Sequence, residues 1–575
     1  MIAATEPGER RLQRWARSPA LIVAVVAAGY ACLVTYPLIL QLSTSIYGGP
    51  GDATGTVAVY MWWSYAIHHH MSIFDNTMWG APYGAGWQAV PFSVLPVILL
   101  APLSAVIGGT ATYNVEVLSS FPLTAWLTFL LARRLGARPL AAAFSALAFT
   151  FLPYHLEKAQ GHSGQTHMEF FSATLLFLMR WRQGGSRWNL AVAGAIAGLT
   201  LWNDYYFAFI SAFMVATFFA LSLLYRRSQE PPPTLIWRHL AAALTLGIVT
   251  ALFVPATILV AERPWTGSLN SALAAQSAGF HQSLEEVRIY SARPWEFVLP
   301  YHDNPLLPRR IVQFEVAHIH GSNFTEQTLF LGYTVMLLAA LGVFVTWPRF
   351  ETLLLLALGV VGLVVSLPPG ISVAGHTIPT PSLLLNPIFP IFRVYARFGV
   401  LVLLGAALLA GLGFTWLQDR LRGRQALLLA LPFILTAIEF NNLPPSHVTR
   451  LFPAPAEYRW LANQSGGILI EYPLRAGTLQ EQEIETRQYT LYQQSHGHPL
   501  FNGATTASVA DPISELLEPY YGPGVADTLR QIGIRYVFVH RADYIRDGFV
   551  LPQNTPGLDY VDTLDGTDVY VIRSP

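Results

Sequence analysis

The stretch PFSVLPVILLAPLSAVI, Pro91 to Ile107, decides how the whole chain is read. It is apolar and uncharged, but Pro91, Pro96 and Pro102 interrupt it, and each proline inside a helix removes a hydrogen bond and crowds the carbonyl one turn back. Whether it crosses a membrane is decided by charges elsewhere. The short connectors at Arg133-Arg134 with Arg138, Arg180 with Arg182 and Arg187, Arg226-Arg227 with Arg238, Arg349, and Arg420 with Arg422 and Arg424 are arginine-rich. The positive-inside rule puts all of them in the cytoplasm, and that alternation works only if 91–107 does not cross. The segment is read as a broken helix on or dipping into the outer face.

Working outward, apolar runs at 20–42, 112–132, 139–154, 167–181, 188–203, 204–225, 239–261, 327–347, 352–367, 398–418 and 425–440 give about eleven spans by the ~20-residue criterion. The composition agrees: 53% of residues are hydrophobic, 12% are charged, and mean hydropathy is +0.40. The arginines before the first run, without a small-residue cleavage site, read as a retained helix with a cytoplasmic N-terminus. The fold class is thus a polytopic α-helical membrane protein, with long outer loops at 43–111, 155–166, 262–326 and 368–397 in a transmembrane domain over 1–444. All the histidines except His239 fall on the outer side. From 445 the composition changes: Pro444-Pro445 and Pro453-Ala-Pro455 mark a linker, and Ile468–Tyr472, Tyr536–His540 and Asp568–Ile572 alternate like strands around a helical stretch near 512–532. A small extracytoplasmic α/β domain over 445–575 is expected. Lysine plus arginine equals aspartate plus glutamate at 34 each, so no basic surplus points to nucleic acid. The single cysteine, Cys32, excludes an internal disulfide framework.

Candidate chemistry gathers on the outer face. Asp52 stands alone in GGPGDATGTVAVYMWW, Gly48 to Trp63, where it either faces a water-filled cavity or caps the following helix. Trp62-Trp63 suit an interfacial anchor. In Tyr154–His162, Lys158 is the only lysine of the chain, a compact ammonium suited to a phosphate or to pairing with Glu157. Glu157, His155 and His162 could instead ligate a divalent ion, oxygen favouring Mg or Mn and imidazole favouring Zn, with His167 and Glu169 just beyond. Arg393 and Arg397, four apart, would share a helix face and suit a phosphate or diphosphate. Asp303, His318, His320 and Glu326 are further candidates in the 262–326 loop. His68-His-His70 cannot all bind one metal from a helix, since successive side chains point about 100° apart.

In this order the features resemble the GT-C superfamily of membrane glycosyltransferases, and more closely the bacterial YfhO-like membrane proteins. The resemblance rests on Gly51-Asp52, the proline-containing surface segment, Gly161-His162, Glu326–Gly332, Phe392–Phe398, Glu471-Tyr-Pro473 and His496–Gly503. It implies transfer of a sugar from a polyprenyl-phosphate-linked donor to a glycan, lipid or protein acceptor outside a bacterial cytoplasmic (inner) membrane. By that match Asp52 is the catalytic carboxylate, with Glu157 beside it and Lys158, Arg393 and Arg397 on the donor phosphate. Asp52, Glu157 and His162 are the metal set if a divalent cation (Mg, Mn or Zn) takes part, although no Asp-x-Asp pattern is present. A lipid-linked-sugar flippase or a non-catalytic envelope scaffold are the competing readings. A flippase would be expected to carry repeats and midplane polar groups, whereas these candidates gather at one face.

Overall fold

The computed structural model describes residues 18–74, 76–84, 94–225, 232–261, 282–300, 304, 307–321, 324–373, 376–441, 448–474, 479–503, 510–552 and 554–572. Asp303 and the 444/445 boundary lie outside them. The chain order of its main helices is α1 Pro19–Val34, α2 Asp52–His68, α3 Val94–Ile107, α4 Gly109–Arg134, α5 Pro139–Thr150, α6 Pro153–Ala159, α7 Glu169–Arg182, α8 Trp188–Asn203, α9 Tyr205–Leu224, α10 Pro232–Ala251, α11 Tyr333–Thr346, α12 Phe350–Ser366, α13 Gly399–Arg420, α14 Leu431–Phe440 and α15 Leu479–His496. Prolines open α1, α5 and α6, where the missing N–H has no partner in any case.

A helix stands in each of the eleven apolar stretches, but length separates them. Among the described residues five helical segments are long and apolar enough to cross a membrane, or six if the bent pair α5–α6 counts as one span. α11 and α12, at 14 and 17 residues, reach only roughly 21–26 Å against a ~30 Å hydrocarbon core. The chain is a membrane protein, but helix length alone does not carry the count of eleven. α3 is a 14-residue helix with Pro102 inside.

The bundle is organised around α13, which packs on α5, α11 and α12. Its crossing with α11 brings backbones together: a side chain at Gly342 would run into the Leu409 carbonyl, and one at Gly413 into the Leu338 carbonyl. Small residues at such crossings let helices approach where apolar lipid provides no hydrophobic drive. Ser145 of α5 closes the other side, donating to the Ala407 carbonyl at 2.8 Å.

The tail region forms a four-stranded sheet. Its strands are β3 Ile468–Tyr472, β4 Ile534–His540, β5 Leu558–Leu564 and β6 Thr567–Ile572, in spatial order β3-β4-β6-β5. The β3–β4 pair is parallel and the other two pairs are antiparallel. The three expected strands fall inside these elements; β5 and the helix α15 were not anticipated. Two short strands, β1 Ser45–Tyr47 and β2 Val448–Arg450, pair antiparallel with Ile46 opposite Thr449. Thr449 Oγ1 donates to the Gly48 carbonyl at 2.6 Å, and α15 packs along α2. The residues after the bundle are thereby fastened to the first outer loop.

One expectation is overturned. Trp62 and Trp63 do not sit at an interface: both are completely buried in the main core, Trp63 stacking on Tyr60 at 5.0 Å. α2 is enclosed by α3, α4 and α15, so its aromatic side chains pack inward and do not meet headgroups.

A steric test follows. Gly413→Ala is expected to lower stability by about 1–3 kcal/mol through overpacking, read as a drop in unfolding temperature. Gly247→Ala, where an added Cβ meets no atom within 4 Å, is expected to leave it unchanged or raised.

Candidate active site

The site begins with how α2 starts. Gly51 is its N-cap at φ 140°, a region open to glycine. Thr54 Oγ1 accepts from Gly51 N at 3.2 Å and donates to the Gly51 carbonyl at 2.7 Å. Thr54 therefore closes the helix end, and Asp52 is released from the capping role that its sequence position suggested. Its carboxylate, 43% exposed, meets Arg487 Nη1 of α15 at 2.5 Å through Oδ1 and His162 Nε2 at 3.5 Å through Oδ2. The second outer loop lies against it: Gly161 approaches the Asp52 Cβ, and Gly48 passes so close to the Gln160 backbone that no side chain fits there.

Behind His162 lies a buried charge cluster. Glu326 takes Lys158 Nζ on Oε2 at 2.7 Å and Arg397 on Oε1, through Nη2 at 2.6 Å and Nε at 3.1 Å. Lys158 is fully buried, and Glu326 and Arg397 nearly so. His162 Nε2 stands 3.9 Å from Glu326 Oε1, which places the imidazole between Asp52 and this cluster. Aromatic faces line the cations, Tyr154 at 5.3 Å from Lys158 and Tyr206 at 4.3 Å from Arg397. Burial alone would raise the Glu326 carboxyl, but Arg397 and Lys158, with His162 behind them, outweigh it and hold the group far below the usual carboxylate range. Burial pushes the His162 imidazole down to about 4, Lys158 and Arg397 adding to the effect against Glu326 and Asp52. At neutral pH His162 is uncharged. Two cations meet at Glu326, and the carboxylate of Asp204 acts on both of them as well.

The sequence candidates divide accordingly. Asp52, Lys158, His162, Glu326 and Arg397 come together. Lys158 pairs with Glu326 and not with Glu157, whose carboxylate instead accepts from Thr325 Oγ1 and Gln160 Nε2, each at 3.2 Å. Arg393 does not join Arg397: residues 395–398 form a tight 3₁₀ turn that Arg393 precedes, so its guanidinium turns outward to Glu286 at 3.2 Å. His155 is fully buried, with Nδ1 at 2.7 Å from the Thr150 carbonyl and Nε2 at 3.1 Å from Ser120 Oγ, and its ring stacks on Phe121. Both its nitrogens are occupied and it serves packing. His167 pairs with Glu169 at 2.7 Å in a separate cleft, and His320 with Glu296 at 2.5 Å.

Among the described residues the candidate ligands do not make a divalent-cation site. Asp52, Glu157 and His162 are not assembled into one ligand set, and among the described residues no group of three or more His, Cys, Asp or Glu side chains is disposed to hold a metal. The acids that would serve are already matched by cations, Asp52 by Arg487 and Glu326 by Lys158 and Arg397. A further dication would sit among like charges.

Three contributors escaped the sequence reading. Arg487 comes from a polar helix at the far end of the chain, and no local pattern distinguishes it from its neighbours. Tyr206 accepts from the backbone N–H of Arg393 at 3.1 Å. Asp204 caps α9 through Phe207 N at 2.8 Å and accepts from Gln165 at 3.3 Å; an Asp just before an apolar run was a readable cap signal.

No family model matches the sequence, and no curated protein is similar to it. Solved structures are. A crystal structure of the Archaeoglobus fulgidus oligosaccharyltransferase tethered with an acceptor peptide aligns over 98% of this chain and 75% of that one, with a TM-score of 0.50 at 12% identity. The Archaeoglobus fulgidus oligosaccharyltransferase AglB in complex with an inhibitory peptide and a dolichol-phosphate aligns over 92% of this chain and 70% of that one, with a TM-score of 0.49 at 14% identity. The first likeness shows a shared fold. The closer resemblance to YfhO-like proteins has no counterpart among these findings.

The charge cluster makes stability depend on pH with a definite sign. The unfolded chain takes up a proton at His162 near pH 6.5 and the folded chain only near 4, so stability is full above about 6.5 and falls as pH drops toward 4. Glu326, depressed from 4.5, continues the loss below that value. Unfolding temperature measured from pH 7 to 4 should decline over this window, and His162→Gln should flatten its upper part.

Proposed function

We propose that this chain is an integral-membrane glycosyltransferase that moves a sugar from a polyprenyl-phosphate-type donor to an acceptor on the extracytoplasmic side of a bacterial cytoplasmic membrane. The observation that carries the proposal is the juxtaposition of one exposed carboxylate, Asp52, with the cations Lys158 and Arg397, held by Glu326, across His162. Glycosyl transfer from a phosphate needs those two opposite groups: a base where the acceptor loses its proton and positive potential where the phosphate departs.

In this reading the acceptor hydroxyl gives its proton to Asp52 as its oxygen bonds to the anomeric carbon. The bond from that carbon to the phosphate oxygen breaks, and its electron pair stays on the lipid phosphate. Lys158 and Arg397, fixed by Glu326, act through the field they set up behind His162, and Arg397 is the nearer to the surface. His162, neutral at physiological pH, adds no like charge to the cations. Arg487 orients Asp52, so the tail region contributes to the centre. Exposed apolar faces of the bundle offer the polyprenyl chain a groove. The arginine-rich connectors support a cytoplasmic N-terminus and an extracytoplasmic tail.

The test is release of polyprenyl phosphate from a labelled donor pool by the purified protein and its Asp52→Asn form. Loss of the base is expected to slow release by about 10²- to 10⁴-fold at unchanged unfolding temperature. Activity that survives the substitution removes Asp52 from the reaction, and translocation without sugar transfer favours a carrier.

A further inference from the structure

A second polar locus lies apart from the reaction centre. α3, α4, the start of α7 and the end of α8 enclose a half-open cleft of about 420 Å³. Its walls are apolar, with Leu99, Leu123, Phe170 and Leu199 among them, and Leu99 and Leu123 are exposed at its mouth. In a membrane protein such exposed leucines face acyl chains. Glu116, His167 and Glu169 line the same cleft.

The charges there do not cancel. Glu169 is satisfied, accepting from His167 Nδ1 at 2.7 Å and Thr124 Oγ1 at 3.1 Å. Glu116 is only 4% exposed; Tyr60 donates to its Oε2 at 2.8 Å, Ser163 bonds it as well, and His167 acts on it from beyond ion-pair distance. A nearly buried carboxylate without a counter-ion in direct contact is costly, and ionisable groups within a membrane protein that border a cavity are functional-site candidates. Two carboxylates against one imidazole repel a phosphate and attract a cation.

We propose that this cleft binds an amphiphile with an aliphatic tail and an amine head, the tail between Leu99, Leu123 and Phe170 and the ammonium on Glu116. The site goes beyond the transfer reaction. Its polar groups are two acids and an imidazole, whereas the reaction centre gathers the cations Lys158 and Arg397, so the two loci select different lipids. α2 connects them, with Asp52 in its first turn and Tyr60 eight residues on, roughly 12 Å along the axis.

The test uses the full chain in nanodiscs carrying equal mole fractions of octadecylamine, octadecanol and octadecyl phosphate, with retained lipid read by native mass spectrometry. Octadecylamine should be retained at least roughly tenfold over octadecyl phosphate, a difference of about 1.4 kcal/mol. Leu99→Trp, which fills the mouth, should abolish retention, and Glu116→Gln should bring amine and alcohol to parity. Equal retention of amine and phosphate in the unaltered protein, preference for the alcohol, or an amine signal untouched by both substitutions overturns the proposal. The readout does not involve sugar transfer, so the outcome is independent of whether Asp52 is a catalytic base.

Discussion

The structure depends on one buried carboxylate. Glu326 lies in the turn leading to α11, Lys158 on α6, and Arg397 in the turn that opens α13. Three outer ends of the bundle, distant in sequence, therefore meet at a single side chain. Burying three charges is expensive, and their mutual attraction offsets that only when geometry is close and each polar atom is engaged. Here Arg397 offers two nitrogens to one oxygen of Glu326, and Lys158 Nζ stands 2.7 Å from the other. Removing Glu326 would leave two cations facing each other in an enclosed space, so the cluster behaves as a unit.

From that hub the rest of the centre is positioned in steps. Lys158 sits just before the turn that carries Gly161 and His162 against Asp52, while Gly48 lets the first outer loop pass over the second. The short β1–β2 pair and Arg487 bring the tail region to the same place. Asp52 is thus fixed from three directions yet stays 43% exposed, whereas the cations are shielded. A partly exposed carboxylate and shielded cations suit the proposed reaction, in which the acceptor arrives from water and the donor from lipid.

Much of this was legible in the sequence, for identifiable reasons. Apolar runs and arginine-rich connectors placed the helices because those patterns follow directly from solvation and charge. Strands at 468–472, 536–540 and 568–572 showed period-two alternation. Asp52, Lys158, His162, Glu326 and Arg397 could be singled out because charged residues are scarce in so apolar a chain. Their pairing could not. Lys158 was matched with Glu157 by proximity in sequence, although its real partner enters from another loop. Arg393 and Arg397 were placed on one helix face, although a 3₁₀ turn separates them. Trp62-Trp63 read as interfacial because nothing local announces that α3, α4 and α15 enclose α2. Arg487 was invisible for the same reason, its role arising only from tertiary contact.

The most direct measurement is an experimental structure of the protein in nanodiscs with a polyprenyl phosphate bound. The account predicts phosphate density on the side of His162 nearest Arg397 and Lys158, facing Asp52, with the polyprenyl chain running down the bundle. Phosphate bound elsewhere, above all in the acidic cleft at Glu116 and Glu169, would contradict it.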